Sequence, residues 1–307
     1  MYKLAGRRFW FFLISGLGIL IAIVALAVIG LPFGVDFSAG SLLTIHFENK
    51  IEQSQLLDEL TAQGYPGAII QTIGQEDLDF IIRTQTLSTT QKDELVSALT
   101  TRLGNLEVRE FDTVSPMVAS ETAQNALIAM AAAAVGILLY VTFAFRKMPK
   151  PFRWGACGII ATVHDVVIAS GIFAIFGAVF GWEVNLMFII GILGILGYSI
   201  NNTVVVFDRI RENMKKGISP DFEVVVNYSM VETLGRCLNT SLTTLITIIA
   251  LMLFVGASIQ NLVVVMLIGL IAGTWSSVCI APTLLVVWET KNWGLRRSLQ
   301  PAKAGGE

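Results

Sequence analysis

Six stretches of this sequence are apolar for long enough to cross a hydrocarbon layer, and nothing else in it limits the fold as much. A spanning helix needs about 20 predominantly apolar residues. The runs cover approximately residues 9–30, 123–145, 154–180, 184–207, 238–255 and 262–288. The composition agrees: 54% of the 307 residues are hydrophobic and 14% are charged, where a soluble domain carries about a quarter charged. One soluble core cannot take up that much apolar surface. The expected fold is a polytopic α-helical membrane protein with six transmembrane helices. The first run, behind Lys3, Arg7 and Arg8, is longer than a signal-peptide core and lacks a small-x-small cleavage site, so an uncleaved anchor is expected.

Between the first two spans the composition turns soluble and acidic. Residues 34–120 hold 13 acidic and 5 basic side chains. "SLLTIHFE" alternates with the period of a strand. "SQLLDELTAQG" reads as a helix with a Ser54 cap and a Gly64 stop. "GAIIQTIG" and "DLDFIIRTQ" read as short strands, "STTQKDELVSALTTRLG" as a second capped helix and "LEVREFDTV" as a last strand. The order β-α-β-β-α-β predicts a ferredoxin-like layer, a small α+β domain. The expected organisation is a tail with helix 1 over 1–33, that domain over 34–120, helices 2–6 over 121–290 and a tail over 291–307.

Lys and Arg near the span ends set the expected orientation. They gather at the N-terminus, in "RKMPKPFR" after span two, in "DRIRENMKKG" after span four and in "KNWGLRR" after span six. Both termini are therefore expected in the cytosol, and residues 34–120 outside it. Spans three and four, and spans five and six, are joined by short turns. The last turn, "VGASIQN", is expected as a tight hairpin.

The polar residues inside the spans carry the functional reading. An ionisable group at the centre of a spanning helix costs about 2.5–3.5 kcal/mol on the insertion scale. Span three carries His164 and Asp165. Span four carries Ser199, Asn201, Asn202 and Thr203, then Asp208, Arg209 and Arg211 at its end. Span five opens with Arg236, Asn239, Thr240, Ser241, Thr243 and Thr244. Asn202 and Arg209, seven apart, share a helical face about 10 Å long, and Asn201 and Asp208 share the neighbouring one. Asn202 and Arg236 are expected at similar depth, where they could meet. Gly191, Gly194 and Gly197 recur every third residue, the spacing of close helix packing. For each of these groups a structural role competes with a functional one: a partnered pair for His164–Asp165, interhelical hydrogen bonds for the two amides, snorkelling for Arg236.

The sequence contains no HExxH, no serine–histidine arrangement, no metal-ligand spacing and no cofactor motif. Cys157, Cys237 and Cys279 lie in or beside apolar spans and read as small core residues. No enzyme, metal, cofactor or nucleic-acid partner is expected.

Five motifs in order resemble the SecF family, membrane subunits of the bacterial SecDF protein-translocation accessory complex in the RND superfamily. They are "GVDFSAG" with Gly34, Asp36 and Gly40; "VSPMVASE" with Pro116 and Glu121; "HD" in span three; "GYSINNTVVVFDRIREN" with Asp208 and Arg209; and "TLGRCLNTSLTT" in span five. The resemblance implies an inner-membrane protein paired with SecD. It further implies assistance to preprotein export through SecYEG, driven by proton flow, with YajC as a further expected partner. By that resemblance Asn202, Arg236, Asp165 and Asn201 are the proton-coupling candidates. The chain departs from the family pattern at Asn202, where the family usually has Asp. It also departs at Ala39 and Ser115, where Gly is preferred, and at Cys237, often Thr. An amide cannot bind and release a proton as a carboxyl does. The alternatives are an RND-like transporter of a small solute or lipid and a passive scaffold for SecD.

Overall fold

The structure, a computed structural model, describes residues 3–73, 78–254 and 259–294. It falls into two compact units. One comprises the described residues of 31–129 and 177–186; the other comprises those of 1–30, 130–176 and 187–307.

In chain order the elements are helix α1 (Arg8–Val28), a single turn α2 (Val35–Ser38), strand β1 (Gly40–Phe47), α3 (Gln53–Ala62), β2 (Ile69–Ile73), β3 (Asp79–Thr84), α4 (Thr89–Leu103) and β4 (Leu106–Val114). The long helices α5 (Pro116–Ala144), α6 (Pro151–Phe180), α7 (Leu186–Lys216) and α8 (Phe222–Phe254) follow. The last span is α9 (Gln260–Trp275), a π-helical segment (Ser276–Ile280) and α10 (Ala281–Thr290). Among the described residues six helical segments are long and apolar enough to cross a membrane, as the sequence predicts.

The first unit holds an antiparallel sheet in the order β2-β3-β1-β4. Alternation along the strands puts Leu43, Ile45 and Phe47 of β1 and Phe80 and Ile82 of β3 into one core with Leu56 and Leu60 of α3 and Leu95 and Leu99 of α4. Ser88 caps α4 through the reciprocal box with Gln91, and Gly104 ends the helix at φ 113°. The Ser54 cap of α3 is not formed: the helix starts at Gln53 behind Glu52, and the Ser54 hydroxyl donates to the Glu52 carboxylate at 3.2 Å. Gly64 does stop that helix, at φ 93°.

The "GVDFSAG" motif works as a joint in this unit. The Gly34 N–H donates to the Val184 carbonyl at 2.8 Å, and the Val184 N–H to the Pro32 carbonyl at 2.7 Å. A Cβ on Gly34 would lie 3.0 Å from that same Val184 carbonyl. The Asp36 carboxylate accepts from the Leu186 N–H at 2.8 Å and so caps the start of α7. Gly40 sits at φ 128°, where a Cβ would lie 2.6 Å from the Thr84 carbonyl. Ala39 adopts φ 61°, ψ 163°, a region used almost only by glycine. Ser115, the other departure from glycine, needs no such backbone. Its carbonyl accepts the first bond of α5, from Ala119, and its hydroxyl faces the Val118 N–H at 3.4 Å. Pro116 then occupies the first helical position, where a missing N–H costs nothing.

In the other unit the spans pack through small residues. A Cβ on Gly171 of α6 would meet Ala22 of α1, and one on Gly269 of α9 would meet Ile195 of α7. Gly191 backs onto Val265 and Gly194 onto Met266, while Gly197 has open space beside it. Span five is longer than its apolar run, because α8 begins at Phe222. Its polar first half buries Val225, Val226, Ser229, Met230 and Thr233 at helical spacing, so one amphipathic surface continues into the apolar half. The last span is not regular. Pro282 has no N–H to give to the preceding turn, and the backbone widens into the π segment just before it. The "VGASIQN" hairpin lies largely outside the described residues.

Arg8 is a further difference from expectation. It reads as one of several topology signals, yet it is only 2% exposed. It pairs with Glu223 at 2.7 Å and donates to the carbonyls of Ala5 and Asn292.

Candidate functional site

Two clusters of buried polar side chains connect α7 with the last span inside the helical unit. The first is centred on Asp165 of α6, which has no exposed surface. Its Oδ1 faces His164 Nδ1 at 2.8 Å. Its Oδ2 accepts from Ser199 of α7 at 2.5 Å and from Ser276, the first residue of the π segment, at 2.6 Å. Three helices thus converge on one carboxyl. Gly273 makes room for this: a Cβ there would lie 3.2 Å from the Ser199 Cβ and 3.4 Å from Asp165 Oδ2. His164 is 5% exposed, and its Nε2 is buried with no partner among the described residues.

The second group is centred on Ser241 of α8. Its Oγ lies 2.7 Å from Thr274 Oγ1, 3.2 Å from Asn202 Nδ2 and 3.2 Å from Tyr198 Oη. The hydrogens follow by elimination. The Thr274 hydroxyl has one hydrogen, and the Leu270 carbonyl at 2.7 Å can only accept it. Ser241 therefore donates to Thr274, and Asn202 and Tyr198 donate to Ser241.

The expected meeting of Asn202 and Arg236 does not occur. Asn202 is buried against Ser241, five residues beyond Arg236. Five residues turn a helix by about 140°, so Arg236 points from a different side of α8. It is exposed on this chain, and among the described residues its side chain has no hydrogen bond or ion pair. Asn201 and Asn239 are exposed as well. Cys237, beside Arg236, is buried, in keeping with a small core residue.

The motif residues at the end of span four are structural. Arg209 grips Glu232 of α8 with two nitrogens, at 2.6 and 2.8 Å, and reaches Glu212 at 2.6 Å. It does not turn toward Asn202 on its own face. Asp208 is exposed and pairs with Arg211. Asn213 adds bonds to Ser229 and Glu232 across the same turn. Glu121 is exposed on α5. No group of three or more acidic, histidine or cysteine side chains suited to a metal occurs among the described residues. Sequence reasoning missed Tyr198, Thr274, Ser276 and the orphaned His164 Nε2. A hydroxyl in an apolar span is a common packing residue, and only the π segment turns Ser276 onto the carboxyl.

Known proteins resemble this chain along most of its length. A family profile described as "Protein export membrane protein SecD/SecF, C-terminal" matches residues 95–291, and one described as "SecD/SecF GG Motif" matches 24–51. The protein translocase subunit SecF of Thermobaculum terrenum is 39% identical over 303 residues, covering 95% of this chain and 96% of that one. The subunit of the same name from Synechocystis is 33% identical and covers 90% of each chain. A crystal structure of SecDF, a translocon-associated membrane protein from Thermus thermophilus, superposes with a TM-score of 0.83 at 31% identity. That match covers 94% of this chain, which spans 39% of the length of the SecDF chain. With two profiles and near full-length relatives above 30% identity in agreement, the chain belongs to the SecF family of protein translocase subunits.

Proposed function

We propose that the chain is the SecF-like half of a proton-driven export motor, working with SecD to assist late steps of preprotein passage through SecYEG. In this reading it lies in the bacterial inner membrane with both termini in the cytosol. Residues 34–120 form an extracytoplasmic, ferredoxin-like domain between helices 1 and 2, residues 121–290 carry the remaining spans, and 291–307 form the cytosolic tail. The strand order β2-β3-β1-β4 with two helices on one face supports the domain assignment. Preproteins, membrane lipid and YajC are the further partners.

The observation that carries the reading is Arg236, exposed at the opening of the fifth apolar run and without a side-chain partner among the described residues, with Asn201 and Asn239 also exposed. Hydrocarbon does not satisfy a guanidinium, and a second membrane subunit that brings a carboxylate does. The buried groups around Asp165 and Ser241 supply movable hydrogens behind that surface. Position 202 faces inward at the second group, and its amide transfers no proton at neutral pH.

The test is made in vesicles holding the chain with SecD and SecYEG. Asn202→Asp is expected to raise proton flux and gradient-dependent export; no change in either removes position 202 from the mechanism. Arg236→Ala is expected to lower export while the complex with SecD survives. Loss of complex and export together identifies a passive scaffold instead.

A further inference from the structure

Asp165 joins its own helix to two others through a single carboxyl, and the last of them is irregular at the point of contact. We infer that Asp165 is a proton-operated latch on the last span: its carboxylate holds Ser276 at the π segment, and a proton delivered through His164 lets Ser276 go. The inference rests on the proton-coupled reading above and assigns the moving part of that same membrane core.

The geometry provides each step. His164 Nδ1 lies 2.8 Å from Asp165 Oδ1, so the neutral ring donates its hydrogen to the carboxylate and leaves Nε2 as an acceptor. That Nε2 is buried and has no partner among the described residues, which is costly unless a proton can arrive there. A proton taken up on Nε2 makes the ring a cation, and the Nδ1 hydrogen then passes to Asp165 Oδ1. The ring ends neutral with its hydrogen on Nε2, and the carboxyl ends neutral with its hydrogen on Oδ1. The pair has gained one proton and lost one negative charge.

Oδ2 carries the consequence. As part of a carboxylate it accepts two short hydroxyl bonds, from Ser199 and Ser276. Bonds to a charged acceptor are about twice as strong as neutral ones, so protonation weakens both. Ser199 lies within regular α7. Ser276 has an alternative acceptor, the Gly273 carbonyl at 3.4 Å, and it opens the π segment, where each backbone hydrogen bond spans one residue more than in an α-helix. The weakened bond is therefore the one that yields. Among the described residues His164 is the one titratable group that interacts with Asp165; the groups facing it from α7 and the last span are the hydroxyls of Ser199 and Ser276.

The test uses the full chain with SecD in lipid nanodiscs, read by two methods at a series of pH values. Infrared difference spectra should show a buried carboxyl that protonates as pH falls. Asp165→Asn should remove that band, and His164→Gln should slow its appearance. Hydrogen exchange of amides 276–280, taken throughout relative to the intrinsic exchange rate at each pH, should become roughly fivefold faster in the protonated state, the factor expected when a charge-assisted bond becomes a neutral one. Asp165→Asn and Ser276→Ala should both show the fast exchange at every pH. A band that survives in Asp165→Asn, or exchange at 276–280 that ignores pH in the unaltered chain, overturns the latch. If exchange ignores pH while export still follows the proton gradient, the latch fails and the motor reading stands. If exchange follows pH as expected while gradient-driven export is absent, the motor reading fails and the latch stands.

Discussion

Ala39 shows how a single methyl can strain a tight joint. Its φ of 61° with ψ 163° is a conformation from which a Cβ is normally excluded, and such residues store about 1–3 kcal/mol. Ala39→Gly is therefore expected to stabilise the protein by about 1 kcal/mol, read as a rise in the thermal midpoint of the detergent-solubilised chain. An unchanged or lower midpoint would show that the turn carries no strain. Ser241 is the opposite case, a residue whose removal leaves others stranded. Ser241→Ala deprives Asn202 and Tyr198 of their acceptor and is expected to cost about 1–3 kcal/mol. Threonine, which keeps the hydroxyl, should recover most of it in the same melt.

Elements were legible in the sequence wherever one face of the chain has a simple period. The six spans follow from apolar run length, and β1 to β4 with α3 and α4 follow from alternation, caps and glycine stops. The glycine repeat on α7 was legible as a packing stripe, but only two of its three members serve. A Cβ on Gly269 would sit 2.1 Å from Ile195, whereas Gly197 faces open space. Gly269→Ala is thus expected to push α7 and α9 apart and destabilise by about 1–3 kcal/mol. Gly197→Ala should be neutral or better, since alanine is the stronger helix former by roughly 1 kcal/mol. Equal effects of the two would contradict the packing. The start of α8 and the π segment were not legible. The first is charged enough to pass for a loop, and the second depends on how Pro282 is accommodated in a helix held by its neighbours.

Across the whole molecule, much of the candidate site arises from residues distant in sequence. Asp165, Asn202 and Arg236 are recognisable as costly groups in apolar spans, yet their partners are set by helix packing. Ser199 and Ser276 reach Asp165 from positions 34 and 111 residues away, and Ser241 replaces Arg236 as the neighbour of Asn202. Arg8 makes the same point at the other end of α1. Burying a cation is tolerable only while its partner remains, and Glu223 lies 215 residues away in sequence. Glu223→Ala is expected to cost about 3 kcal/mol or more, seen as loss of folded protein on mild heating. A double variant with Arg8→Met should restore much of that loss.

The hydroxyl row from Asn202 through Ser241 and Thr274 to the Leu270 carbonyl has a sense, because each oxygen has one hydrogen to give and the row ends on a group that can only accept. An ionised carboxylate at position 202 would itself only accept. Ser241 would then have to turn its hydrogen toward position 202. The 2.7 Å contact between Ser241 and Thr274 would be left with no hydrogen between its oxygens unless Thr274 turned as well and abandoned Leu270. Exchanging one nitrogen for one oxygen would thus reverse the polarity of the entire row. The amide found here and an acid in its place would be, in that sense, two settings of one directional wire.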